Sequence, residues 1–219
     1  MKNPYRWLIY GLGMVVLALG ITLNTKTGLG VSPIISVAYS VSQIFSLNFG
    51  DMTFLLYTLF VLVQLVLRDR SEWIATLLQI VVSLIFSRLL NLCASLIPYD
   101  SASHGLPANL ALLALAIFLT GLGVAMTVNM RLVPNPGDGI VQAIAEKIDR
   151  SQGFTKNIVD IGCVCATIAV GLCIAGEVIG IGVGTVAAMI GVGRAVALVN
   201  GLFKDKMEAA AGITARGKA

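Results

Sequence analysis

Long apolar runs alternate along the chain with two short segments of mixed character. Runs at 7–23, 52–67, 73–97, 108–128, 154–175 and 178–203 approach or exceed the ~20 residues that a helix needs to cross a bilayer. The run at 52–67 is the shortest and needs flanking residues or local thinning to fit. Segment 31–47 (VSPIISVAYSVSQIFSL) opens at Pro33 and carries Ser32, Ser36, Tyr39, Ser40, Ser42 and Gln43. Segment 137–149 (GDGIVQAIAEKID) follows Pro136 and ends in charges. A proline ahead of a helical pattern marks a helix start. Neither segment is apolar all round, so neither reads as an ordinary span.

The two short segments repeat one another at a constant spacing of 103 residues. Gly20 falls on Gly123, Leu29 on Leu132, Pro33 on Pro136 and Gly50 on Gly153, while Ser32 meets Asn135. The order of elements matches too: a long span, a short Pro-opened helix, then two long spans. The chain therefore divides into a first transmembrane repeat at 1–100 and a second at 101–219, which includes a C-terminal tail.

Charge chooses between two topologies. If all eight segments cross, starting from a cytoplasmic N-terminus, the Lys and Arg of the loops and segment ends, Lys147 and Lys156 included, divide nine inside to four outside. If the two short segments dip in and return on the same side, the division is twelve to one, with Lys26 alone outside. Loop 98–107, free of Lys and Arg, also moves outside, as the positive-inside rule requires. The expected fold is an all-α integral membrane protein of two inverted structural repeats. Each repeat has three crossing helices plus one short Pro-opened re-entrant or broken helix, and both termini are cytoplasmic.

Composition supports the membrane reading and removes others. The chain is 57% hydrophobic and 12% charged, with a mean hydropathy of +0.91, against about 45–50% and about 25% for soluble domains. Disordered, collagenous, disulfide-scaffold and nucleic-acid-binding classes fall on these grounds. The net charge of +4 reports topology rather than a polyanionic partner. Cys93, Cys163, Cys165 and Cys173 all lie in apolar runs, and Cys163-Val164-Cys165 is not a CxxC, so they read as buried small hydrophobes. The basic start followed by an apolar run lacks a small-x-small cleavage site, which predicts a retained first helix.

Three motifs carry a resemblance: Gly28-Leu29-Gly30-Val31-Ser32-Pro33, Pro136-Gly137-Asp138-Gly139 and Gly180-Ile181-Gly182-Val183-Gly184-Thr185. Over nearly its whole length the chain resembles the YczE-like family of bacterial membrane proteins, related to the YitT-like group. That resemblance implies a duplicated multi-pass protein of the bacterial cytoplasmic membrane, usually taken for a transporter. Family members often carry Pro-x-Asp in both halves. Here the second half keeps it as Pro136-Gly137-Asp138, whereas the first reads Pro33-Ile34-Ile35, leaving Asp138 as the asymmetric survivor.

Several polar residues become candidates by position. Asp138 lies on the first turn of a Pro-opened helix, where a carboxylate caps free N–H groups or meets a substrate or coupling ion. Ser32 and Asn135 precede Pro33 and Pro136 and share those two roles. Arg88 and Arg194 lie about ten residues inside their spans, at a depth that costs ~2.5 kcal/mol or more unless the charge is paired or hydrated. They are substrate contacts if they face a cavity. Otherwise they snorkel or pair with Asp51, Asp138 or Asp160. Asp160 sits about two turns into its span and is a candidate coupling-ion group, or equally a structural partner for an arginine. Glu146, Lys147, Asp149 and Arg150 read as a solvated cytoplasmic face. Gly176, Gly180 and Gly184 recur every four residues, which predicts a small-residue helix face for packing within the chain or across a homodimer.

Interrupted helices at matching places in two inverted repeats point to a secondary transporter's midplane site. The expected function is alternating-access transport of a small polar substrate, anionic or zwitterionic if the arginines face the cavity, by rocking one half against the other. The expected partners are that small molecule and the lipid bilayer, with no nucleic acid, cofactor or metal. No HExxH, catalytic triad, Walker A or GxGxxG pattern occurs, so no enzyme chemistry is expected. The rival reading is an accessory membrane protein that binds a partner, with a dry centre and its arginines locked in ion pairs.

Overall fold

Helices follow in the order that the apolar pattern predicts. The computed structural model describes residues 3–213. Lys2, Arg216 and Lys218, which entered the charge count, lie outside the described residues. The helices are α1 (Pro4–Lys26), α2 (Pro33–Ile44), α3 (Phe49–Leu67), α4 (Trp73–Leu96), α5 (Leu106–Asn129), α6 (Pro136–Ile148), α7 (Gln152–Val170) and α8 (Val183–Ala210). Among the described residues there is no strand, and the six helices other than α2 and α6 are long and apolar enough to cross a membrane. Prolines start α1, α2, α5 and α6, where the missing N–H costs no helical bond. Asn48 and Ser151 cap α3 and α7 through side-chain oxygens that accept from Asp51 N and Phe154 N.

The last long helix differs from its predicted span. It starts at Val183 rather than at 178, because Gly176 and Gly180 take left-handed backbone angles (φ 77° and 86°) that no α-helix holds. It continues to Ala210 through Lys204, Asp205 and Lys206, since a helix does not have to stop where its apolar run does. Gly176, Gly180 and Gly184 therefore do not form one helix face. Gly180 packs on Tyr39, and Gly184 packs on the Leu29 and Gly30 backbone of the same chain.

Two groups of helices form, and each mixes the halves of the chain. Helices α1, α5 and α8 pack together, as do α2, α3, α6 and α7, and α4 lies between them, on α1 and on α3. In the first group α1 runs antiparallel to α5 at close range. A Cβ on Gly20 would come within 2.5 Å of Thr120 N, and one on Gly123 within 2.5 Å of Leu17 N. Those two contacts exchange under the 103-residue spacing. In the second group α2 lies on α7 and α3 on α6. The groups join along α3 and α4, where the buried amides of Gln64 and Gln79 exchange hydrogen bonds of 2.9 and 3.1 Å. Gly139 of α6 lies against both amide oxygens.

The chain segments before α2 and α6 have no helical partners for their backbone, so other parts of the protein supply them. Val31 N donates to Gly180 O at 2.9 Å, and Gly184 N donates to Leu29 O at 2.7 Å. In the segment before α6, Arg6 donates to Met130 O and Arg131 O at 2.7 Å, and the Tyr10 hydroxyl donates to Val133 O at 2.7 Å. Asn3 bonds Ala210 O at 2.9 Å and Arg131 pairs with Glu208 at 2.9 Å, so both ends of the described chain meet at one face. Lys26 and the Asp100 loop lie at the other face. There, hydrogen bonds from Ala102 N and the Ser103 hydroxyl hold the Asp100 carboxyl below the usual carboxylate range.

The amide pair gives a double-mutant test. Gln64→Ala or Gln79→Ala alone leaves one buried amide unsatisfied and should cost about 1–3 kcal/mol. Gln64→Leu combined with Gln79→Leu should cost less than the sum of the single changes. Thermal unfolding of the detergent-purified variants measures both.

Candidate functional site

Between the two helix groups lies a cavity of about 260 Å³. Helices α1, α5 and α8 contribute mostly apolar lining, including Leu17, Ile21, Val124 and Val196, with Thr120 and Asn200 as polar exceptions. The second group contributes the polar side: Ser32 and the start of α2, Tyr57 of α3, Asn135 and Asp138 at the start of α6, and Gln152 and Lys156 of α7. Both short helices therefore begin at this cavity. A helix N-terminus presents free N–H groups and about half a positive charge, so two such ends make the centre receptive to negative charge.

The two starts are built differently. The Asn135 side chain accepts from Gly137 N at 3.1 Å, while its carbonyl accepts from Asp138 N and Gly139 N. Ser32 occupies the corresponding place in α2 but makes no capping bond, so its hydroxyl is free toward the cavity. Pro33 and Pro136 are buried behind them and fix the first helical residue of each. Asp138 lines the cavity on the third residue of α6 and makes no side-chain hydrogen bond or ion pair among the described residues. Lys156, also in the lining, is tied to the buried Asp160 at 3.2 Å.

Sequence-derived candidates thus divide. Ser32, Asn135 and Asp138 come together at one cavity. Asp160 stands behind it as the partner of Lys156 rather than as a lining group. Arg88 is elsewhere: its guanidinium pairs with Asp51 at 3.0 Å on the outer surface of α3 and α4, with 63% of the side chain exposed. Arg194 is exposed on α8 and outside the lining. Both arginines follow the course open to a charge at that depth, outward pairing or snorkelling, so neither gives the cavity its charge.

Tyr57 and Lys156 are lining groups that sequence reasoning passed over. Lys156 was counted only as a topology charge. Tyr57 stands 103 residues before Asp160, so the repeat register already paired these two polar positions inside their spans.

The corresponding starts of α3 and α7 are packed differently. Gly50 at the start of α3 is packed so tightly on Ser87 and Asn91 of α4 that a Cβ would come within 2.5 Å of Ser87 O. Gly153 holds the corresponding place at the start of α7, lines the cavity, and has nothing within 4 Å of where a Cβ would stand. Helices α3 and α4 pack along one another, whereas α7 and α8 stand apart and the cavity opens between them at Gln152 and Gly153.

Comparison with known proteins gives the family and the membrane class. The family model described as "Family of unknown function (DUF6198)" matches residues 4–201. The chain belongs to this family. It is 28% identical over 153 residues to the "Uncharacterized membrane protein YczE" of Bacillus subtilis (strain 168), covering 69% of this chain and 68% of that protein. It is also 23% identical over 154 residues to the "Uncharacterized protein YyaS" of the same organism, covering 70% and 75%. The resemblance carried by the glycine and proline motifs therefore holds, and with the six long apolar helices it makes this a multi-pass membrane protein. No solved structure matches the chain.

The unequal caps predict unequal losses. Asn135→Ala should lower stability by about 0.5–2 kcal/mol through loss of the cap. Ser32→Ala should stay within about 0.5 kcal/mol of the parent, since its hydroxyl holds nothing. Unfolding in detergent, followed by circular dichroism, distinguishes them.

Proposed function

We propose that this family member is a secondary transporter of a small polar molecule in the bacterial cytoplasmic membrane. The observation that carries this reading is the opposite state of two corresponding glycines: Gly50, outside the cavity lining, is packed hard on α4, while Gly153 lines the central cavity with nothing packed against it. On this reading the halves are inverted repeats, N-in and C-in. Antiparallel α1 and α5 with exchanged Gly20–Thr120 and Gly123–Leu17 contacts support a two-fold axis in the membrane plane. Arg6, Arg68 and Arg131 at one end, against Lys26 at the other, support the sidedness.

The interleaved packing changes the moving parts. A first half rocking against a second would tear apart α1–α5, α2–α7 and α3–α6. Instead, α2, α3, α6 and α7 move as one body against α1, α4, α5 and α8. Exchanging the roles of the repeats closes α7 on α8 at Gly153 and parts α3 from α4 at Gly50. The cavity then opens to the other side, which is alternating access. The substrate meets Ser32, Asn135 and Asp138 in both states, because the start of each short helix travels with its body.

Side-specific thiol labelling tests this directly. Ser32→Cys is placed in a chain whose four native cysteines are replaced, and the protein is reconstituted in vesicles. An impermeant maleimide should reach it mainly from the Gly153 side. Adding Gly50→Phe should move labelling at least tenfold toward the opposite side. Labelling confined to one side in both proteins would refute transport and favour the accessory-protein reading.

A further inference from the structure

The cavity's charged and polar groups leave a specific set of demands unmet. Asp138 offers a carboxylate with no cation within 4.0 Å among the described residues, since Lys156 is occupied by Asp160. Tyr57 is only 2% exposed and lines the cavity, with its hydroxyl beside the Asn135 side chain. The Ser32 hydroxyl, at the start of α2, makes no capping bond. One side of the cavity therefore lacks a cation, and another offers the Ser32 hydroxyl, with that of Tyr57 near it, beside a positive helix end. The lining from α1, α5 and α8 is largely aliphatic.

We infer that, given the transporter reading, the substrate is a small zwitterion with an aliphatic body. Its ammonium sits on Asp138, its carboxylate meets Ser32, Tyr57 and the start of α2, and its hydrocarbon lies on α1, α5 and α8. Other classes fit less well. A lone inorganic anion would face the Asp138 carboxylate, and a lone metal ion would face two helix N-termini and an aliphatic wall. A cavity of about 260 Å³ lies just below the ~300–1,000 Å³ typical of drug-sized ligands, so the occupant is a small metabolite.

Isothermal titration on the full chain in detergent tests this with L-valine, L-leucine, 3-methylbutylamine and 3-methylbutanoate. At least one of the two amino acids should bind more tightly than either single-charge analogue. Asp138→Asn should weaken the amino acids and the amine tenfold or more, while leaving the carboxylate analogue unaffected. Tyr57→Phe should weaken the amino acids and the carboxylate analogue but spare the amine. This second variant keeps the test alive if Asp138→Asn does not fold. Binding of the carboxylate analogue alone, or of none of the four, overturns the zwitterion assignment. Thiol labelling that still switches sides would then leave the transporter reading standing, and labelling that does not would remove both.

Discussion

Irregular backbone cannot face hydrocarbon, and this chain places two such stretches, 27–32 and 130–135, among its membrane helices. Their N–H and C=O groups have to be met by protein. The first is met by the turn before α8 through Val31, Leu29, Gly180 and Gly184, and the second by α1 through Arg6 and Tyr10. Each stretch is therefore satisfied by the other half of the chain. From that requirement follow the interleaving of the halves, the glycine-lined approach of α1 to α5, and the meeting of two helix starts at one central point.

That meeting point is polar for a reason distinct from packing. A continuous helix bonds its own interior, but a helix that begins inside the membrane exposes its first N–H groups there. Asn135 answers this demand locally in α6, whereas Ser32 leaves it open in α2. The protein thus keeps one helix start free in a cavity that it could have filled with a cap. Adjacent to it stand Asp138, whose carboxylate has no hydrogen-bond or ion-pair partner among the described residues, and Tyr57, whose hydroxyl lies beside Asn135. Groups this deeply placed and unsatisfied lower stability unless a ligand completes them, which ties the cavity's cost to its use.

How much of this was legible in the sequence depended on whether the signal was periodic or tertiary. The long spans and the two proline-opened helices rest on local pattern, and their boundaries match closely except in α8, which Gly180 delays to Val183 and which runs on to Ala210. Ser32, Asn135 and Asp138 were findable because they flank the prolines. The arginines were not separable from true site residues, because depth along a helix is readable from sequence but direction around it depends on which neighbours pack there. Arg88 points to Asp51, a contact decided by how α3 meets α4. Tyr57 shows the reverse: it shares a repeat position with the candidate Asp160, yet their different chemistry hid the match.

On the proposed transporter reading, the 103-residue spacing lets one arrangement speak to motion: the tight contact at Gly50 is a pattern for how Gly153 would close. The register does not run through the last helix. Helices α3 and α7 start 103 residues apart, but α4 starts at Trp73 and α8 at Val183, because the segment that joins α7 to α8 is longer than the turn that joins α3 to α4. The face of α8 that would receive Gly153 is therefore set by the backbone turn at Gly176 and Gly180 and not by the spacing that pairs the two glycines. Arg194 stays near the middle of α8, away from the end where Gln152, Gly153 and Asn200 line the cavity.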